Sequence, residues 1–334
     1  MFKKVFIEES EINNIYAKHI LSKIKFEEII EIDRYEDIWG KVKKPYLQKR
    51  ENLNLFIAKK KGQLVKEAPS AYGHGSEKHF YYIHAYNCIY ECQYCYLQGY
   101  FSTPDLVYFT NHEEILDEIK NLSKIPENKG AWFHAGEYSD SLSLSHITNE
   151  LPLYFDFFRK NPGINLELRT KSVNTTLLLN ETPTDNIFIS FTLSSEKSGK
   201  NFDLKCPSVK ARLNAIDKLV KHGYKIGIHF DPIIYQDNFI EQYKEVIKML
   251  SNILPDKHLG YISLGVVRYT KDVYREVEKN YPDSTIVSQD YIKSFDGKVR
   301  YNLAMRMWLL NSVKSLCLNS GYSDSKIYLC MEEN

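Results

Sequence analysis

Long apolar runs are missing from this 334-residue chain. No stretch approaches the ~20 consecutive apolar residues that a membrane-spanning helix needs, so no membrane segment is expected. The N-terminal Met-Phe-Lys-Lys-Val-Phe-Ile-Glu-Glu-Ser has neither a long apolar centre nor a small-residue cleavage site, and it does not read as a secretory leader. An excess of either charge is missing too: 44 Lys plus Arg stand against 43 Asp plus Glu. That balance leaves no global field to steer the chain onto a polyanion, so any nucleic-acid contact must rest on a local patch. Cysteines are few, six in all, and three of them are crowded together. A disulfide framework is therefore not expected, and the cytosol is the natural compartment. Nor does a Pro/Gly-rich linker, an internal repeat or a low-complexity tract cut the chain.

What is present is a rhythm. From about residue 77, short β-branched or aromatic runs alternate with longer amphipathic ones. Strands are expected over 79–85, 131–135, 165–169, 187–192, 225–230 and 261–266. Helices are expected over 112–123, 147–160, 173–179, 208–222, 238–254 and 302–319. Six strands, each followed by a helix, read as parallel βαβ units with right-handed crossovers. The expected fold is α/β: a partial (β/α)6 TIM-type barrel over residues 77–334, ending in a C-terminal helix and tail. Residues 1–76 are expected to form an N-terminal extension packed on it. That segment changes sign along its length, acidic over 1–40 and basic over 41–66. The basic part carries Tyr46 and Phe56 and could track a phosphate backbone. A solvated surface balancing the acidic part explains it as well.

Cys88, Cys92 and Cys95 stand in Asn-Cys-Ile-Tyr-Glu-Cys-Gln-Tyr-Cys-Tyr-Leu. Three thiolates on one short loop can hold three corners of a cubane iron–sulfur cluster and leave the fourth iron open. Zinc normally takes four ligands, and His84 is the candidate fourth. The loop follows the first barrel strand, and in βα barrels the loops after strand C-termini carry the chemistry. Gly136, Glu137, Ser139 and Asp140 follow the second strand and Lys171 the third. Ser190 lies in the fourth, His229 and Asp231 end the fifth, and Arg268 follows the sixth. A lysine buried at a strand end needs an anion beside it, such as a ligand carboxylate. His134, one residue before Ala135, should face the opposite side of its strand.

The cysteine spacing resembles the radical S-adenosylmethionine superfamily, and Gly136-Glu137 resembles that superfamily's second signature. A narrower resemblance, to the spore photoproduct lyase-like family, rests on several stretches in order. They are Cys-Gln-Tyr-Cys-Tyr-Leu-Gln (92–98), Gly-Glu-Tyr-Ser-Asp-Ser-Leu (136–142), Arg-Thr-Lys (169–171), His-Phe-Asp-Pro-Ile (229–233) and Ser-Leu-Gly-Val-Val-Arg-Tyr-Thr (263–270). Asp-Gly-Lys-Val-Arg-Tyr (296–301) and Ile-Tyr-Leu-Cys-Met-Glu (327–332) complete the set.

The resemblance implies a radical enzyme with a [4Fe–4S] cluster on Cys88, Cys92 and Cys95. S-adenosylmethionine is then held by Tyr94, Gly136, Glu137, Ser139, Lys171 and Ser190. It implies that Tyr96 moves a hydrogen atom, and that an external one-electron donor such as flavodoxin or ferredoxin feeds the cluster. The implied substrate is a nucleic-acid base or nucleotide, with Arg268 its candidate contact. One position departs: the family's lyase has a cysteine where this chain has Glu137. That cysteine quenches the product radical, and a glutamate, mostly ionised at neutral pH, cannot supply a hydrogen atom. Cys206, Cys317 and Cys330 are the substitutes to examine. Arg300 and Arg306 are further anion contacts or structural ion pairs. Two other functions stay open from the residues: a radical enzyme acting on a small metabolite or peptide, and a non-catalytic metal or iron–sulfur binding protein.

Overall fold

The computed structural model describes residues 2–41, 53–69, 72–73 and 75–332. Residues 42–52 of the basic 41–66 stretch, Tyr46 included, lie outside the described residues. Among the described residues, no helix is long and apolar enough to cross a membrane.

Among the described residues, the larger sheet has eight strands. Its centre is six parallel strands in chain order: His79–Tyr82, Trp132–Ala135, Asn165–Thr170, Ile187–Thr192, Lys225–Ile233 and Leu259–Val266. Ile327–Leu329 adds a seventh parallel strand at one edge, and Val65–Glu67 pairs antiparallel at the other. The partial barrel expected from the rhythm is therefore present, widened by one strand on each side. Helices cover its outer face where the amphipathic runs placed them. His112–Ser123 matches its expected span. Val209–His222 starts at Ser208, whose side chain accepts from Ala211 N, and stops at Gly223 in a left-handed φ of 107°. Ser, with no helical commitment of its own, and Gly, free of a Cβ clash, make those ends.

Two expected helices are shortened. The one expected over 147–160 is split into Ser145–Thr148 and Leu151–Lys160. Asn149 between them takes φ 57°, and Pro152 suits the first turn of a new helix, not the interior of an old one. The helix expected over 173–179 is reduced to Thr176–Leu179. Asn174 instead donates from its side chain to the Leu142 carbonyl at 3.1 Å, which ties this segment to the loop after the second strand.

A second, five-stranded sheet runs Phe26–Ile32, Phe2–Glu8, Leu55–Ala58, Leu106–Phe109, Ala85–Tyr86. The first four are parallel and the last antiparallel. Ile15–Lys23 is the helix between its first two strands, capped by the Asn14 side chain. Buried Glu8 bolts the sheet to its surroundings, because its carboxylate accepts from Tyr35 N at 2.9 Å and Lys59 N at 3.0 Å. Two of this sheet's strands, Ala85–Tyr86 and Leu106–Phe109, come from beyond residue 76. They flank the cysteine segment. The chain leaves the first barrel strand, crosses to the small sheet, forms the cysteine loop, and returns to the small sheet. Asn87, at φ 65°, clamps the base of the loop by donating to the carbonyls of Thr103 and Asp105, both at 2.8 Å.

Glu150, at the start of Leu151–Lys160, is buried and accepts from the Tyr108 hydroxyl at 3.2 Å. Burial pushes its carboxyl up to about 7 from the ordinary 4.5. The folded state therefore binds the proton more tightly than the unfolded chain does. Stability is full below pH ~4.5 and falls as pH rises towards 7, by about 3 kcal/mol for a shift of this size. Glu150→Gln is expected to flatten that slope and to be the more stable form at pH 8, as read from urea midpoints at both pH values.

Candidate functional site

The barrel interior is polar at mid-height, where branched apolar side chains usually fill such barrels. Glu167 lies at its centre, 1 % exposed. Its carboxylate is bonded by the ring nitrogens of His134 and His229 and by the hydroxyls of Ser190 and Tyr261. These donors outweigh the cost of burial and hold Glu167 well below the usual carboxylate range. The network assigns the tautomers. His229 donates from Nε2 to Glu167, so its Nδ1 accepts from Arg169 Nη2 at 2.7 Å. His134 donates from Nδ1, so its Nε2 accepts from His79 Nδ1 at 2.8 Å. Burial lowers His229 to about 4, which keeps it in this neutral form. The layer is a platform, and Arg169 carries it into the space above.

That space is a cavity of about 750 Å3 at the C-terminal ends of the parallel strands. Ten of the site residues read from the sequence reach its wall: Cys88, Cys92, Cys95, Tyr94, Tyr96, Gly136, Glu137, Ser139, Lys171 and Arg268. Ser190 does not. It is fully buried one layer below, where its hydroxyl braces Glu167. His134 and His229 belong to that same layer. Asp140, Arg169, Asp231, Lys66 and Lys298 also line the cavity. Of these, Arg169 was missed as a site residue in its own right. Its alternation with Glu167 along one strand was the available signal.

The cysteine loop is held from outside. Gln93 N donates to the Phe202 carbonyl at 2.9 Å, Gln98 Nε2 to the Gln93 carbonyl at 2.8 Å, and Asn280 Nδ2 to Gln98 Oε1 at 2.8 Å. Gly99 is required here, because a Cβ would meet the Val273 Cα at 2.8 Å. Inside the loop, Tyr90 N donates to Cys88 Sγ at 3.4 Å. The Cys92 thiol is lowered, first by its contact with Cys206 Sγ at 3.6 Å and, against burial, by the Lys171 ammonium.

Lys171 Nζ stands 5.4 Å from the Tyr94 ring centre. Burial alone would lower this lysine, but Cys92 and Asp203 outweigh it and keep the ammonium charged. The Tyr94 hydroxyl donates to Asp203, which pairs with fully buried Arg212 at 2.7 Å. The loop after the second strand is shaped by Asp140, which accepts from Leu142 N, Ser143 N, Thr170 Oγ1 and Lys171 N. Gly136 turns it at φ 101°, where a Cβ would lie 2.7 Å from Ser141 Oγ. The Tyr96 hydroxyl donates to the Glu137 carbonyl, and burial raises the Glu137 carboxyl.

Several candidates resolve as structural. Arg300 pairs with Asp296 at 3.1 Å and Arg306 with Glu332 at 3.1 Å. His84 is buried away from the cavity wall. Arg268 reaches Asp231 at 3.4 Å and remains on the wall. The cysteines lining the cavity, among the described residues, are Cys88, Cys92 and Cys95. Cys317 is in the core and Cys330 is buried beside Arg268, whose Nη2 lies 3.8 Å from its sulfur.

The donor set fits a cluster better than a single ion. Four ligands on one zinc are drawn to within about 4 Å of one another. The described group at such spacing is Cys92, Asp203 and Cys206, not the three loop cysteines together. Three cysteines spread around one wall, with a buried ammonium beside them, suit a larger inorganic core with an anionic ligand docked on it.

A family model described as spore photoproduct lyase matches residues 12–301. The chain belongs to the spore photoproduct lyase family. Spore photoproduct lyase is a radical S-adenosylmethionine enzyme that uses a [4Fe–4S] cluster. The chain is 28 % identical over 205 residues to the spore photoproduct lyase of Bacillus subtilis and 26 % over 205 residues to that of a Geobacillus strain. Each match covers 60 % of this chain and 60 % of the relative's length. A solved spore photoproduct lyase complexed with dinucleoside spore photoproduct superposes with a TM-score of 0.83 at 20 % identity, over 98 % of both chains. A variant with bound S-adenosylmethionine and dinucleoside spore photoproduct gives 0.82, over 100 % of this chain and 99 % of that one. At this identity the superposition establishes the barrel fold.

Proposed function

We propose that this chain is a radical S-adenosylmethionine enzyme acting on a nucleic-acid base or nucleotide. The observation that carries the proposal is a single cavity at the strand ends that gathers three thiols of one loop, a buried ammonium and the Gly136–Asp140 turn. Cys88, Cys92 and Cys95 hold the [4Fe–4S] cluster. When bound there, that cluster would supply the one electron needed to cleave S-adenosylmethionine to methionine and a 5′-deoxyadenosyl group able to take hydrogen from the substrate.

The side chains bind, orient and shield. Lys171 meets the carboxylate of S-adenosylmethionine, the anion its burial calls for. Gly136 leaves room for the amino end, with Glu137 and Ser139 beside it. Tyr94, braced by Asp203, offers a ring face to the adenine. Tyr96 stands between the cysteine loop and Glu137, where it can pass a hydrogen atom. Ser190 acts one layer down, by holding Glu167. Arg268, Lys66 and Lys298 line the cavity and suit phosphate groups of a nucleotide. The related structures that hold dinucleoside spore photoproduct support this substrate class. Glu137 removes the hydrogen donor of the lyase, so the product radical is quenched by another route or the substrate differs. The electron comes from a flavodoxin- or ferredoxin-type partner, in a reducing cytosol that keeps the cluster thiols available.

Anaerobically reconstituted protein, mixed with S-adenosylmethionine and dithionite, is expected to form 5′-deoxyadenosine. A dinucleotide carrying spore photoproduct should alter the yield and be converted. No 5′-deoxyadenosine from protein with a full iron complement would overturn the enzyme reading. A yield indifferent to every nucleotide tried would point to a small metabolite or peptide instead.

A further inference from the structure

Cys206 has no part in the site as assigned, yet it touches it. Asp203 pairs with Cys92, and Leu204 with Glu91, in a two-residue antiparallel ladder. Lys205 then takes a left-handed φ of 59°, and Cys206 N bonds back to the Asp203 carbonyl at 3.2 Å. The next residue, Pro207, accepts from Arg212 Nε at 3.0 Å through its carbonyl. This turn folds the Cys206 side chain back against the ladder. Its sulfur stops 3.6 Å from Cys92 Sγ, inside hydrogen-bond reach for sulfur.

Coordination decides which sulfur carries the proton. A cysteine sulfur bound to iron is a thiolate and has no hydrogen to give. In the 3.6 Å pair the donor is therefore Cys206 and the acceptor Cys92. A hydrogen bond to a ligand sulfur draws charge from a cluster and favours its reduced, more negative state.

We propose that Cys206 is a positioning residue for the cluster: its thiol donates to the Sγ of Cys92 and makes the bound cluster easier to reduce. This rests on the reading that Cys88, Cys92 and Cys95 are the ligands.

The test is a potentiometric titration of the reconstituted protein, followed by electron paramagnetic resonance, for wild type, Cys206→Ala and Cys206→Ser. Resonance Raman spectra in H2O and D2O accompany it. In Cys206→Ala the midpoint moves negative, and the reduced-to-oxidised ratio at a fixed potential falls three- to tenfold; tenfold is ~59 mV for a one-electron couple. The serine variant keeps a donor and returns most of the shift. The iron–cysteine stretching bands of the wild type shift in D2O, and in Cys206→Ala that sensitivity drops.

Equal midpoints in wild type and Cys206→Ala overturn the proposal. So does a wild-type spectrum unmoved by D2O, a result that needs no variant to fold. A Cys206→Ala protein without cluster, beside a Cys92→Ala protein that retains it, would make Cys206 a ligand and also overturn it. Failure of the underlying reading looks different: the wild type itself would then carry no cluster.

Discussion

Cys92→Ala is expected to lose both the visible absorbance of a reconstituted cluster and all cleavage of S-adenosylmethionine. Cys92 is the middle one of the three cysteines proposed as ligands. It sits in the ladder with Asp203, and its carbonyl accepts from Cys95 N at 3.0 Å. Its sulfur feels the Lys171 and Arg212 charges, both of which favour the thiolate. Removing it leaves two sulfurs for three corners, and a cubane held at two corners is lost on desalting. Cys206 is not a replacement, because it lies outside the cavity wall, held there by its own turn. Iron content after gel filtration and 5′-deoxyadenosine after dithionite are the two readouts. Retained turnover would refute the ligand assignment. Alanine at Cys206, by contrast, should spare the iron and move only the potential.

Asp203→Ala is expected to cost about 3–5 kcal/mol of folding stability, the range for stripping one partner from a buried ion pair. Arg212 is fully buried, and its Nη1 lies 2.7 Å from Asp203 Oδ2. Its other bonds go to the carbonyls of Pro207 and Thr192, which carry no full charge. With Asp203 gone, the guanidinium is left in the interior without a counter-ion. The same substitution also removes the acceptor of the Tyr94 hydroxyl. Urea denaturation of the cluster-free protein measures the loss. The double variant Asp203→Ala/Arg212→Met should regain much of it, because it removes the stranded charge. A single variant within 1 kcal/mol of wild type would show that the pair is not holding this corner of the molecule.

The barrel was legible because its strands are short, β-branched or aromatic, and spaced by amphipathic helices. Ile187–Thr192 and His112–Ser123 coincide with their expected spans. The small sheet was not legible. Phe26–Ile32 reads Phe-Glu-Glu-Ile-Ile-Glu-Ile, and its glutamates look like a solvated segment until a neighbouring strand pairs with it. Leu106–Phe109 is a four-residue apolar run with no partner in view along the sequence, and its pairing with Leu55–Ala58 is long-range. Shortened helices trace to single residues, Asn149 above all, whose left-handed turn no periodicity reveals.

At the site, the cysteines were readable from their spacing, Gly136, Glu137, Ser139, Lys171 and Arg268 from their place at strand ends, and Tyr94 and Tyr96 only through the family resemblance; all ten meet at one wall. The layer beneath was not. Alternation correctly turned His134 away from Ala135, but facing inward in a barrel does not mean reaching the cavity. Ser190 and His229 are inward-facing too, and both are spent on Glu167. A charged residue flanked by leucines, as Glu167 is, reads as the exposed face of a half-buried strand. Only the closed curvature of the sheet brings two histidines, a serine and a tyrosine onto it.

The cysteine segment leaves the small sheet at Ala85–Tyr86 and rejoins it at Leu106–Phe109. Both its ends are therefore owned by the small sheet, although its sulfurs face the barrel cavity. A substitution in the packing of the small sheet can reach the sulfur triad along the main chain, with every cavity residue unchanged. Sequence drift near the N-terminus thus has a route to retune reactivity at a distance, and relatives that share all the cavity side chains need not share the same chemistry.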